Sequence, residues 1–441
     1  MPVHYQFSGD SAVSIAASVE AGIRTGALPV GAPLPPIRGL AAELGVSPAT
    51  VSSAYAALRQ RGVVETAGRN GTRVRDRPAV GGRAGQVLPV PENVVDLSSG
   101  APNLDLLPRL GPVLARIAPA PVSYRDAGVL PELAAAASDR LALDGIAAEE
   151  IVVTSGALDA IERLLVAHLS PGDAVGVEDP GWANLLDLAA AMGLRIVPVP
   201  VDEAGPTLDG LAAALAAGVR ALVVTSRAHN PTGAALTPER SAALRVLLAA
   251  HADVLVIEDD HCGDLDDVPL HALAGVTPAW AYIRSVSKAY GPDLRLAVVA
   301  GDAATLGRVS GRLRLGAGWV STVLQHAVLE LWGSGPAAVA VREASAVYRA
   351  RRAQLLTALS HRGLDGYGRS GINVWLPVPD ETTAVARLRD AGWAVAAGAA
   401  YRQLSPPAVR ITISGLADAQ VAPLADAILT AVTPTSGRRS V

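Results

Sequence analysis

The sequence predicts an α/β protein in three parts: a small helix-rich module, a linker, and a large domain on a mostly parallel sheet that ends in a smaller α+β subdomain. Three observations carry this. Beyond residue 95 the short runs EIVVTSG, DAVGVED, RIVPVP, ALVVTS and VLVIEDD alternate with helical apolar patterns, the order expected of parallel strands joined by crossover helices. At 441 residues, half of them hydrophobic, the chain exceeds one compact domain and can bury substantial cores. Residues 76–94, DRPAVGGRAGQVLPVPENV, concentrate the proline and glycine that suit a linker, and so divide residues 1–75 from residues 95–441.

The first module reads in order as three helices and a strand pair. A helix runs from about Ser11 to Thr25, before GALPVGAPLPP imposes turns. IRGLAAELG has a short helical pattern, and VSPATVSSAYAALRQRG supplies a third helix, with Ser47 as its cap and Pro48 in the first position. VVETAGRNGTRVR then reads as strand, glycine turn and strand. Near the other end, VREASAVYRARRAQLLTALSHRG is helical, and INVWLPV, WAVAAG and AVRITISG are the strands of the terminal subdomain.

Charge and composition narrow the function classes. A net charge of -4 excludes a uniformly basic nucleic-acid coat, yet residues 1–83 hold nine arginines against five carboxylates, a local +4 that favours phosphate contact. The apolar runs are broken by charges and turns, and the opening has no secretory signal, so a cytoplasmic location without membrane insertion is expected. Cys262 is the only cysteine, which rules out an intrachain disulfide and a cysteine metal cluster; no metal is expected, and Cys262 reads as a small buried side chain. Lys288 is the only lysine. Replacement of lysine by arginine suits a solvated surface and does not explain retention at one site.

GALPVGAPLPPIRGLAAELGVSPATVSSAYAALRQRGVVE followed by GRNGTRV resembles the winged helix-turn-helix of the GntR-type regulators, with helices, turn and wing in family order. The resemblance implies that the third helix enters the major groove of double-stranded operator DNA while the wing and basic residues position the backbone. It makes Arg38, Thr50, Ser52, Ser53, Arg69 and Thr72 the candidate DNA contacts. Arginine and short hydroxyls meet phosphates or base edges, and residue type alone does not sort the two. Pro48 departs from the pattern, since related modules commonly place a DNA-contacting arginine there.

From residue 95 to about 435 the chain resembles the fold-type-I aminotransferase domain of the MocR regulators, through VTSGALDAIERLL, EDPGW, SRAHNPTG, VLVIEDDHCGD, SVSKAYGPDLRLA and AVRITISG in that order. The resemblance implies pyridoxal 5'-phosphate as cofactor. It places Lys288 as the catalytic lysine whose primary amine condenses with the cofactor aldehyde, chemistry that a guanidinium does not perform. Ser155, Gly156 and Ala157 match the phosphate cup, where a glycine lets backbone amides approach at a helix start; Ser285, Ser287 and Arg295 match further phosphate ligands. Asn230 matches the donor to the pyridoxal 3-oxygen, and Asp259 the carboxylate on the ring nitrogen, with the adjacent Asp260 left open as a strand cap. His261 stands where related regulators carry a tyrosine. Trp182 matches the aromatic cover of the ring, and Arg410 the arginine that grips an effector carboxylate. Tyr124, in SYRDAGVLPELAAA, resembles the aromatic residue that reaches the phosphate from a paired subunit, which implies a homodimer.

Together these resemblances imply a pyridoxal-phosphate-dependent transcriptional regulator that binds operator DNA and responds to a small amino acid, an amine or pyridoxal phosphate at Lys288. An active aminotransferase with a reader-like appendage stays open beside it, because the pocket residues permit turnover. A cofactor-free interaction protein would require that whole set to be residual.

Overall fold

The computed structural model describes residues 5–60, 63–66, 71–74, 90–148, 150–266 and 268–433. In the N-terminal module α1 (Ala12–Arg24) starts at Ser11, whose side chain accepts from the Ser14 amide while the Ser14 hydroxyl returns to the Ser11 amide. The next helix, α2 (Ile37–Leu44), stops at Gly45 in the left-handed region, which turns the chain toward α3 (Pro48–Gln60). Ser47 Oγ accepts from the Thr50 amide at 3.1 Å, capping α3 as its sequence predicts. The wing strands β1 (Val64–Thr66) and β2 (Thr72–Val74) pair antiparallel. Ile15, Val19, Leu40, Val51, Tyr55 and Leu58 fill one core with the wing's Val64 and Val74. The Tyr55 hydroxyl donates to Pro35 O at 2.8 Å and so ties α3 to the turn before α2.

The large domain follows as β3 (Val95–Leu97), α4 (Leu110–Leu114), α5 (Pro131–Leu143), β4 (Ile151–Thr154), α6 (Ala157–His168), β5 (Ala174–Asp179), α7 (Ala183–Ala191), β6 (Arg195–Asp202), β7 (Gly205–Pro206), α8 (Leu208–Ala216), β8 (Ala221–Thr225), α9 (Pro238–Ala249) and β9 (Leu255–Asp260). It continues as β10 (Trp280–Ser285), α10 (Ser287–Tyr290), β11 (Ala297–Gly301), α11 (Ala303–Leu315), α12 (Thr322–Gly333), α13 (Gly335–Ser360), β12 (Asn373–Pro377), α14 (Glu381–Asp390), β13 (Trp393–Ala397), β14 (Ala408–Thr412) and α15 (Asp418–Val432).

Eight strands form the main sheet in the order β4-β11-β10-β9-β8-β5-β6-β7. Pairs β10–β9, β9–β8, β8–β5 and β5–β6 are parallel, whereas β11 runs antiparallel to both its neighbours and β7 antiparallel to β6. Strands β5, β8 and β9 are buried along their whole length, which explains their continuous apolar runs in the sequence. Strand β10, before the lysine motif, stands out less, because Arg284 interrupts WAYIRS. The expected layout of a mostly parallel sheet with helical crossovers is what the domain adopts.

The terminal subdomain holds one strand that its local sequence does not announce. Its sheet has the order β12-β14-β13-β3, with β3 parallel to β13 through Val95, Asp96 and Leu97. Chain leaving the linker therefore becomes an edge strand of the C-terminal subdomain. No described helix is long and apolar enough to cross a membrane.

Candidate functional site

The pocket lies where the carboxyl ends of β4, β8, β9 and β10 meet, the usual ligand crevice of an open α/β sheet. Its cavity, about 230 Å³, is lined by residues that include Ala157, Trp182, Asn230, Asp259, His261, Ser285, Ser287, Lys288 and Arg295. A larger adjoining cavity of about 550 Å³ shares Lys288, Asn230 and Trp182 and adds Arg410 and Tyr401. Residues scattered over more than 250 positions in sequence thus face one space.

Strand β4 ends at Thr154 and α6 begins at Ala157, so the strand-to-helix junction falls where the sequence predicts. Gly156 caps α6 with φ +99°, and a Cβ there would stand 2.9 Å from Arg295 Nη2. Only glycine fits without strain. The Gly156 and Ala157 amides open the α6 N-terminus, where an anion is favoured. Arg295 itself is held in the left-handed region, and its Nη2 donates to Ser155 O at 3.1 Å. Ser155 is exposed, and its amide bonds to Asp159 Oδ2 at 2.9 Å rather than opening into the cup.

The two neighbouring aspartates of β9 have opposite surroundings, as side-chain alternation along a strand requires. Asp260 receives Arg227 Nε at 3.0 Å and Nη2 at 2.9 Å, Arg284 Nη2 at 3.1 Å, the Gly263 amide at 3.0 Å and the Tyr282 hydroxyl. Although burial opposes its charge, the two guanidiniums and these hydrogen bonds hold its carboxyl well below the usual carboxylate range. Asp260 is thereby a structural anion. Asp259 lines the pocket at 3 % exposure, and its Oδ1 has no hydrogen-bond partner among the described residues. Its Oδ2 faces His261 Nδ1 at 3.3 Å. Burial works against the His261 cation, but Cys262 and Asp259 outweigh it and raise its pKa well above the ordinary value. Cys262 is a free, buried thiol, as expected.

Lys288 leaves β10 on the short helix α10, and its Nζ donates to Gly100 O. Burial lowers its pKa, and the nearby Arg410 works in the same direction, so the amine is biased toward its neutral, nucleophilic form. Arg410, on β14, is 3 % exposed; it donates to Asn230 Oδ1 at 3.0 Å and to Ser98 O, stacks 4.8 Å above the Tyr401 ring, and its Nε has no partner among the described residues. A buried guanidinium with an unpaired donor suits an incoming carboxylate.

These features fit pyridoxal phosphate. Asp259 Oδ1 and Ser287 Oγ are buried polar atoms without partners among the described residues, and Gly156 leaves a cradle that a Cβ would fill. The bound cofactor supplies an aldehyde and an electron-withdrawing ring to an amine. Residues that the sequence reading missed also line the site: Gly100, Thr225, Asn184 and Asn373. The glycine in SSGAPN, at φ +66° against the Arg410 guanidinium, is the one signal that could have found the first of these. Tyr124 does not join the pocket within its own chain; it is 93 % exposed and meets Trp319 edge to face.

In the N-terminal module Arg38, Ser52 and Ser53 are exposed, while Thr50 and Thr72 are half-buried. The Thr50 hydroxyl pairs with Ser47 Oγ at 2.8 Å, so it serves the helix cap. Arg69 lies outside the described residues.

Fold and site define a pyridoxal-phosphate-binding fold-type-I domain carried behind a winged helix-turn-helix. Residues 92–428 match the family of class I and II aminotransferases, and residues 11–74 match the bacterial regulatory proteins of the gntR family. The chain is 41% identical over 420 residues to the vitamin B6 salvage pathway transcriptional repressor PtsJ of Salmonella typhimurium, covering 95% of this chain and 97% of that protein. It is 32% identical over 267 residues to the HTH-type pyridoxine biosynthesis transcriptional regulator PdxR of Corynebacterium glutamicum, covering 57% and 58%. Among solved structures, an aspartate aminotransferase mutant from Thermus thermophilus superposes with TM-score 0.68 at 25% identity, covering 79% of this chain and 98% of that one. A multiple substrate aminotransferase from Thermococcus profundus gives TM-score 0.70 at 19% identity, covering 78% and 92%, and speaks to the fold alone. The chain belongs to the MocR branch of the GntR-type transcriptional regulators.

Proposed function

We propose that the protein is a homodimeric regulator whose affinity for operator DNA is set by what occupies the Lys288–Arg410 pocket. The observation that carries this is the convergence of the chain's only lysine, the unpartnered Asp259 Oδ1 and the buried Arg410 on adjoining cavities of a chain that also bears a DNA reader. In this reading Asp259 holds the ring nitrogen, Asn230 the 3-oxygen, and Trp182 covers the ring. The amides of Gly156 and Ala157 hold the phosphate with Ser287, Ser285 and Arg295, and Lys288 presents the amine. Arg410 takes the carboxylate of an amino-acid effector, and His261 lies beside the ring where a tyrosine is usual. Tyr124 serves the pocket of the paired subunit. A Salmonella relative named for vitamin B6 salvage and a Corynebacterium relative named for pyridoxine biosynthesis support a B6 vitamer as part of the signal and B6 supply as the regulated process.

A route from pocket to reader follows from the contacts. Lys288 and Arg410 donate to the carbonyls of Gly100 and Ser98, in the stretch that continues β3 directly after the linker. A ligand that draws on either the Lys288 amine or the Arg410 guanidinium competes with those carbonyls. Such competition changes the hold on the strand to which the reader is tethered.

Full-length protein titrated onto the DNA upstream of its own gene, with and without pyridoxal phosphate and a panel of amino acids, tests the proposal. Binding of the cofactor with no DNA recognition, or with DNA affinity indifferent to every pocket ligand, overturns it. Aminotransferase activity is the competing reading, favoured by the presence of Lys288, Asp259 and Arg410 together. Keto acid formed from an amino donor in many-fold excess over protein when a second keto acid is supplied to accept the amino group, independent of DNA, would establish that reading.

A further inference from the structure

The exposed face of α3 carries a chemistry unusual for a helix that reads DNA. Val51, Ala54, Tyr55 and Leu58 are buried in the module core, leaving Pro48, Ala49, Ser52 and Ser53 exposed along the first half of the helix. Within the helix sequence PATVSSAYAALRQ the only charge is Arg59, in the last turn, and the only amide is Gln60 at its end. Bidentate recognition of guanine requires arginine or lysine, and that of adenine requires asparagine or glutamine. The first half of α3 has none of these. A serine hydroxyl carries one donor and two lone pairs and meets any base edge. What does discriminate is the pair of apolar surfaces at Pro48 and Ala49, which match the one apolar group on the major-groove edge, the thymine C5-methyl. The helix also bears no carboxylate to repel phosphate, and the nine arginines of residues 1–83 supply the sequence-independent attraction.

We propose that the first half of α3 reads its operator through thymine C5-methyl groups packed on Pro48 and Ala49, and makes no hydrogen-bonded selection of guanine or adenine. This rests on the reading of the protein as a DNA-binding regulator. The arginines fix position and affinity, and the methyl contacts fix register.

The test uses the full-length protein and a duplex that it selects from a randomised pool. Each thymine in the protected segment is replaced singly by uracil, which removes the methyl and leaves every hydrogen-bonding group in place. One or two positions in each half-site should lose about fourfold in affinity, the value of one buried methyl, with replacements outside the segment silent. Pro48→Arg should abolish the uracil effect at one of these positions and select guanine there, with a steeper salt dependence. Sequence-specific binding that is indifferent to uracil at every position overturns the proposal and leaves the regulator reading intact. Failure to select any sequence overturns both. A Pro48→Arg variant that keeps the original base preference and uracil effect also overturns the proposal, since Pro48 then does not face the groove.

Discussion

Asp259 and Asp260 are adjacent, identical in chemistry and both buried, yet neutralising each should break a different property. Asp260→Asn leaves Arg227 and Arg284, 6 % and 4 % exposed at their side chains, facing an amide where they had a charge. Asp144 remains near both, so part of the compensation survives. Breaking a buried ion pair from one side costs about 3–5 kcal/mol. For a unit of about 340 residues, with an unfolding entropy of about 2.1 cal/mol/K per residue, that lowers Tm by roughly 4–7 °C. Asp259→Asn removes a carboxylate whose Oδ1 has no partner among the described residues and whose Oδ2 faces only His261, which can shed its proton, so the fold should lose less than it does with Asp260→Asn. Its loss is instead a charge-assisted bond to the ring nitrogen, about 1.5–3 kcal/mol, or roughly ten- to hundredfold in cofactor affinity. Scanning calorimetry of the cofactor-free proteins and pyridoxal-phosphate titration of both variants measure the two quantities. Should Asp259→Asn melt as low as Asp260→Asn and bind cofactor normally, the division of labour drawn from β9 is wrong.

Lys288→Arg should keep basal DNA binding and lose both the absorption of lysine-bound cofactor and the response to amino acids, because a guanidinium does not condense with an aldehyde; operator affinity with and without ligand checks it. Glu258 is fully buried, and burial outweighs the hydrogen bonds from Ser226, Leu273 and Ala274 to push its pKa up from 4.5 to about 7. Its folded-state pKa is raised, so its contribution is present below pH 4.5 and lost as pH rises through 7, on the order of 3 kcal/mol in total. Glu258→Gln should remove that slope from denaturation midpoints measured between pH 5 and 8, whatever its constant offset. On the proposed reading as a homodimer, Tyr124→Ala should weaken cofactor binding several-fold without unfolding the chain that carries it, since the side chain is almost wholly exposed in its own chain; equal affinity for both proteins would remove Tyr124 from the site.

Much of the fold was legible because the local rules agree with the final structure. The central strands are apolar throughout because both faces of the sheet are covered, and α1 and α3 start at Ser11 and Ser47 because each serine side chain accepts a first-turn amide. The ordered motifs carried the family resemblance, and the residues it implies, among them the single lysine, line adjoining cavities of the fold. Strand β10 was less legible, since its pairing with β9 is a non-local event that a charge at Arg284 obscures in the sequence.

By itself, then, the sequence determined the helix starts and the alternation of strands and helices, because caps and apolar periodicity are local properties, and its ordered motifs carried the resemblance that implies Lys288 as the amine. Tertiary structure alone decided what Asp260 does, since strand alternation sends it toward two buried arginines, while Asp259, already matched to the ring nitrogen by the resemblance, keeps an oxygen without a partner among the described residues. It also decided that β3, some 300 residues upstream of its partner β13, belongs to the terminal subdomain. That pairing is what sets the end of the linker beside Arg410 and Lys288, because backbone hydrogen bonds between distant segments form only once the chain has folded back on itself.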